Sequence, residues 1–174
     1  MKRFLSMFFL VFIFLPYLSS QDYYIDDFKD FTFEIPDGWE TMTYPGLKYK
    51  IICGDSLNGY NQNMIFISEE VSGSMEEVVS EYFSGQKGPD DSASAYTVIT
   101  QEKFENNYNL ESQKIIIELP EGKGIAKHYF YLFKHNNLLY ICAATLSHDA
   151  EPEIVEMLDA SMRTFQILDK KEEE

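Results

Sequence analysis

The sequence predicts an α+β fold, a twisted antiparallel β-sheet packed with helices. Three observations carry this reading. Short runs of alternating apolar and polar residues recur along the chain with turn residues between them. Two other segments, one central and one near the end, repeat their apolar residues at helical spacing. The links between strand-like runs in the second half are too short for crossovers, so neighbouring strands there are expected to be antiparallel.

The first element is not part of that fold. Lys2 and Arg3 precede an apolar run at residues 4–15, interrupted only by Ser6, and the run exits through Pro16, Tyr17, Leu18, Ser19 and Ser20. A basic start, a short apolar middle and a small polar exit are the layout of a secretory signal. Its middle is about a dozen residues, whereas crossing a hydrocarbon core of about 30 Å takes roughly 20. A signal peptide over residues 1–20 is therefore expected, cut near Ser20-Gln21, with an uncleaved N-terminal tether as the alternative. No cysteine lies near the cut, which excludes a lipoprotein anchor. Residues 21–30 then form an N-terminal extension, 31–168 a single domain and 169–174 a charged tail. The domain is expected to be exported, periplasmic or extracellular.

The strands follow in order. Phe31, Phe33 and Ile35 alternate with Thr32 and Glu34, and the run stops at the turn Pro36-Asp37-Gly38. Residues 49–53 and 64–68 read as two further strands, joined by a Gly- and Asn-rich link at 54–63. A helix follows, since Ser74 with Glu77 is a capping box and Met75, Val78, Val79, Tyr82 and Phe83 share one helical face. Residues 84–95, rich in Gly, Ser and Asp and carrying Pro89, read as a long loop. A meander of four strands comes next, at residues 96–104, 113–119, 125–133 and 138–146, with Asn136-Asn137 as its last hairpin turn. The closing helix is capped by Ser147 or Asp149, has Pro152 in its first turn, and aligns Ile154, Leu158, Ser161, Met162 and Phe165 on one stripe.

At this level the residues resemble a family. A strand FTFEIPDGWE ending in a Pro-Asp-Gly-Trp turn, the capped helix SMEEVVSEYF, the long meander and a closing helix ending MRTFQI are similar to the PsbP-like and Mog1-like α/β/α sandwich proteins, which include exported bacterial members of unknown role. The resemblance spans residues 31–168. It implies a non-catalytic role, because family members with known roles are accessory subunits, small-GTPase binders or secretion adaptors. It offers no shared catalytic residues.

Charge narrows the partners. The formal net charge is −15, and removing residues 1–20 takes away two basic groups and no acidic ones, leaving −17. Such a surface repels phosphate backbones, so nucleic acid is excluded as a partner. Anionic membranes are disfavoured for the same reason, while cations and basic protein patches are attracted; the plain alternative is that acidity serves solubility alone. A mature chain of about 150 residues suits one domain, and fourteen Phe and twelve Tyr argue against disorder.

The chemistry-bearing residues do not converge. Cys53 and Cys142 each lie in a strand-like run; in an oxidising compartment they can pair, and such a loop closure contributes about 4 to 5 kcal/mol. Alternatively both are small buried hydrophobes. Trp39, after the first turn, reads as sealing the edge of the core rather than as a recognition residue. Ser147, His148 and Asp149 are the residue types of a hydrolase triad, but adjacent side chains diverge and no G-x-S-x-G elbow is present. His128, His135 and His148 have no metal-ligand spacing, though a buried His128 would titrate in the range exported proteins meet. The acidic groups Asp26, Asp27, Asp30, Asp90, Asp91, Asp149, Glu151 and Glu153 lack the spacing of a calcium loop. Gly85-Gln86-Lys87-Gly88 and Gly122-Lys123-Gly124 lack the features of a phosphate loop. No catalytic residue, cofactor or metal ligand is assigned. The expected activity is binding of a protein partner, through one face of the sheet and the 84–95 loop; the alternative is a binder of a small ligand or divalent cation held between the sheet and the closing helix.

Overall fold

Alternation sends successive side chains of a strand to opposite faces, and in the main sheet both faces are apolar. The computed structural model describes residues 23–25, 30–42, 51–57, 60–83, 96–121, 124–150 and 152–168. The chain runs β1 (Tyr23–Ile25), β2 (Phe31–Glu34), β3 (Glu40–Met42), β4 (Ile51–Leu57), β5 (Tyr60–Glu70), α1 (Met75–Phe83), β6 (Thr97–Lys103), β7 (Glu111–Glu121), β8 (Gly124–His135), β9 (Leu138–Ser147), α2 (Pro152–Arg163) and β10 (Gln166–Ile167). Seven strands form an antiparallel sheet in the order β3-β4-β5-β9-β8-β7-β6. A smaller sheet has the order β1-β2-β10, also antiparallel.

Each face of the large sheet has its own core. On one side α1 buries Met75, Val78 and Val79 against Ile115, Ile117, Leu132, Leu139 and Ile141. On the other, Leu158 and Met162 of α2 join Phe165 and the small sheet's Phe31 and Phe33 over Phe66, Phe133, Tyr140 and Cys142. Aromatic rings fill this second core. Phe165 stacks on Phe133 with centroids 4.2 Å apart, and Phe33 on Phe66 at 4.5 Å. The result is an α/β/α sandwich, as expected, with the small sheet sharing the layer of α2.

Local chemistry fixes the helix ends. The Ser74 backbone N–H donates to Glu77 Oε2 at 2.7 Å and the Glu77 N–H donates to Ser74 Oγ at 3.3 Å, the reciprocal box read from the sequence. At the far end of α2 the carbonyls that no helical turn can satisfy are met from another element. The Asn106 side-chain amide donates to the carbonyls of Arg163 at 3.2 Å and Phe165 at 2.8 Å. Asn136, with φ of 54°, makes the β8–β9 turn, a conformation that asparagine tolerates.

Several boundaries differ from the sequence reading. The link expected at 54–63 is largely strand: β4 continues to Leu57 and β5 begins at Tyr60, with a register shift between Cys53 and Ser56. The shift breaks the alternation that would have marked a strand. The segment read as an N-terminal extension holds β1, which pairs with β2. β3 and β10, of three and two residues, are too short to carry a periodicity in the sequence. The expected signal peptide at 1–20, the loop expected at 84–95 and the expected tail at 169–174 lie outside the described residues. Among the described residues no helix is long and apolar enough to cross a membrane.

Candidate functional site

The residues singled out from the sequence are dispersed. Cys53 and Cys142 are both free thiols, which corrects the possible disulfide. The reason is register. On β5, Cys53 lies opposite Asn63 and Cys142 opposite Phe66, an odd separation that sends the two thiols to opposite faces of the sheet. Burial pushes both thiols above their ordinary pKa, Cys142 strongly. Ser147 ends β9, and His148 and Asp149 make the turn toward α2; Ser147 is buried with its carbonyl accepting the Ala150 N–H, and His148 directs Nδ1 to Glu118 Oε1 at 3.5 Å. His135 is exposed at the β8–β9 hairpin, while His128 is half-buried with Nδ1 3.2 Å from Thr145 Oγ1. Trp39 is in the core, its indole against Gly54. Asp26, Asp27, Asp90, Asp91 and Glu151 lie outside the described residues, as do residues 85–88 and 122–123. Among the described residues no three His, Cys, Asp or Glu side chains are placed to hold a metal ion.

Among the described residues a buried polar cluster stands out that the sequence pattern did not announce. Lys114 on β7 faces α2, where its Nζ donates to Asp159 Oδ1 at 2.7 Å and Oδ2 at 2.8 Å. Tyr131 on β8, directly opposite Lys114, donates its hydroxyl to the same Oδ1 at 2.7 Å. Only 7% of the lysine side chain and 19% of the aspartate side chain are exposed. The ammonium also lies 5.7 Å from the Tyr131 ring centroid and 5.9 Å from that of Tyr129. Burial, reinforced by the Asp159 charge, holds the Tyr131 phenol far above its ordinary pKa. Every charge in the cluster is thus partnered, and its effect is to fix α2 on the sheet. The available signal was Lys114 in the inward phase of its strand, between Ser112 and Ile116.

The candidate surface is on the opposite face. Among the described residues, none of the buried or partly buried ones packed with α1 belongs to β3, β4 or β5, and α1 reaches β5 through the Tyr82 hydroxyl, which donates to Glu69. Desolvation and this bond push the Tyr82 phenol up to about 12. Beside α1 the sheet therefore presents its own side chains. Met42 is 43% exposed and Ile67 38%, with Cys53, Ile65, Ala143 and Thr145 half-buried between and beside them. Gly38, Glu40, Met42, Cys53 and Gly54 line an open cleft of about 280 Å³ at one end. A second cleft, of about 90 Å³, lies between β2 and α2, lined by Glu34, Ile35, Met157 and Ser161 among others. It has room for a few waters.

Comparison with known proteins places the fold. No protein-family model matches the sequence, and no curated protein matches it. Solved structures do match. Cyanobacterial PsbP (CyanoP) from Synechocystis sp. PCC 6803 aligns with a TM-score of 0.62 and 13% identity, over 87% of this chain and 94% of that one. The Ran-binding protein Mog1p of Saccharomyces cerevisiae aligns at 0.55 and 8% identity, covering 84% and 95%. LpqN, involved in cell envelope biogenesis of Mycobacterium tuberculosis, aligns at 0.54 and 7% identity, covering 87% of each. The chain has the PsbP/Mog1-like fold.

Proposed function

We propose that this is an exported accessory protein that acts by binding another protein through the uncovered half of its sheet. The observation that carries the reading is the apolar strip of Met42, Ile65 and Ile67, which no described element covers, whereas α1 covers β7, β8 and β9 on that face. The N-terminal layout of residues 1–20 supports export. The fold supports binding, since one protein that shares it is a Ran-binding protein and another is involved in cell envelope biogenesis.

The test is a photo-crosslinking amino acid placed at position 67 or 42 in the protein made by its own host, with position 99 as control. A discrete adduct from 67 and 42, absent from 99, supports the reading. Labelling that is equal at all three positions, together with a turnover abolished by a point substitution, overturns it. Intact mass of the exported form tests removal of residues 1–20. The alternative, a binder of a small ligand or divalent cation, draws on the cleft beside Cys53. Thermal unfolding with calcium, manganese and a lipid panel separates the two, because a ligand of the folded state raises the midpoint.

A further inference from the structure

Resting on that reading, we infer that the occupant of the uncovered strip is a basic amphipathic helix of the partner, laid beside α1. Width is the first argument. Three strands at about 4.8 Å spacing make a strip roughly 14 Å wide, and a helix with its side chains is about 10 to 12 Å across. One helix fits where the layer begun by α1 stops. The surface it would meet is apolar at Met42, Ile65, Ile67 and Ala143.

Charge is the second argument. The segments β3, β4, β5 and α1 contain no Lys or Arg, yet Glu40 and Glu69 share the face of the strip and α1 beside it carries three more glutamates. The described cations are elsewhere: Lys103 on β6, Lys114 on β7, Lys127 and Lys134 on β8, and Arg163 on α2. A helix seated there has its apolar stripe on the strands and its flanks beside carboxylates, so lysines or arginines at those flanks are drawn in and acidic ones repelled. A second copy of this chain fits poorly. Its α1 has no cation, and its α2 sets Glu153, Glu156 and Asp159 against Arg163 alone.

The test uses a fluorescent amphipathic peptide of Leu and Lys, about 18 residues long so that a helix can form on docking, a scrambled peptide of the same composition, and a Leu/Glu peptide of the same pattern. Fluorescence anisotropy is expected to show binding of the Leu/Lys helix, about tenfold weaker binding of the scrambled peptide, and none of the Leu/Glu peptide. Ile67→Asp adds a negative charge and is nevertheless expected to weaken the Leu/Lys helix about tenfold. Met42→Asp should do the same from the edge strand. Ile99→Asp makes the same charge change at a side chain 50% exposed on β6, and should leave affinity within about twofold. If Ile67→Asp and Ile99→Asp behave alike, or the scrambled peptide binds as well, the attraction is charge alone and the inference falls. A dimer that Ile67→Asp dissociates also overturns it. Crosslinked adducts at position 67 to an acidic or non-helical segment overturn the inference while leaving the binding surface itself standing.

Discussion

The indole of Trp39 occupies the space that a side chain at Gly54 would need: a Cβ at position 54 would stand 2.5 Å from Cε2 and 2.7 Å from Nε1. Gly54 lies in the register shift of the β4–β5 pair, and Trp39 belongs to the aromatic core, so neither partner has free room to yield. Gly54→Ala is expected to lower stability by about 1 to 3 kcal/mol through overpacking. Trp39→Phe in the same chain should recover part of that loss, because the smaller ring vacates the contact. Urea midpoints of the two single variants and the double variant check the coupling; an unchanged midpoint for Gly54→Ala would show that the indole swings clear.

Lys114→Ala removes one half of a buried pair and leaves the Asp159 carboxylate held by the Tyr131 hydroxyl at 2.7 Å. The expected loss is about 3 kcal/mol, at the lower end for buried pairs because the carboxylate is partly wetted. Replacing both, as Lys114→Met with Asp159→Leu, should cost far less than Lys114→Ala. Denaturant unfolding of the set measures this, and a double variant weaker than the single one would refute it.

Stability should fall on the alkaline side. The Tyr131 phenol is raised first by burial and then by the Asp159 charge and hydrogen bond, so above about pH 10 the unfolded chain releases a proton that the folded chain keeps. The contribution is complete below that pH and is lost as pH rises. Tyr131→Phe should cost about 1 kcal/mol at neutral pH yet flatten the alkaline decline. Tyr129, raised chiefly by burial, keeps part of the slope. Urea midpoints measured between about pH 8 and pH 11 give the comparison.

Thiol labelling addresses the two cysteines. Both should react in denaturant without reductant, since neither is bonded to the other. In the native protein the half-buried Cys53 should react slowly, its thiolate disfavoured by burial, and Cys142 only at the rate of global unfolding. Recovery of fewer than two thiols before reduction would contradict the placement.

Asn106 offers a contrast between two substitutions of one side chain. Asn106→Ala forfeits the donors to the carbonyls at the end of α2 and should cost about 1 kcal/mol. Asn106→Asp keeps the shape but turns an acceptor, and a negative charge, toward those carbonyls and the negative end of the helix dipole. It should therefore be the more damaging of the two, as thermal unfolding at neutral pH would show.

Elements with a period were legible in the sequence, and elements defined by a partner were not. The Ser74–Glu77 box, the Asn136-Asn137 turn and the stripe of α2 are local, each set within a few residues. β3 and β10 exist through their pairing with β4 and β2, which no local pattern announces. The Lys114–Asp159 pair joins a strand to a helix across 45 residues of chain, and only the inward phase of Lys114 hinted at it. For the candidate surface, the sequence indicated one face of the sheet. Which half of that face stays open depends on where α1 lands, and a strand's own alternation is the same beneath a helix and beside it.

The β5–β9 pairing joins Asn63 to Thr145 and Glu70 to Leu138, while the strands on either side follow one another in chain order. The large sheet is therefore two ribbons, each able to assemble from near neighbours, fused along one seam. Closing that seam means ordering a long loop before any of its contacts can form, so the seam sets the pace of folding more than the final stability. Until it closes, β5 and β9 both present open hydrogen-bonding edges, and newly made chains at high concentration are exposed to one another there.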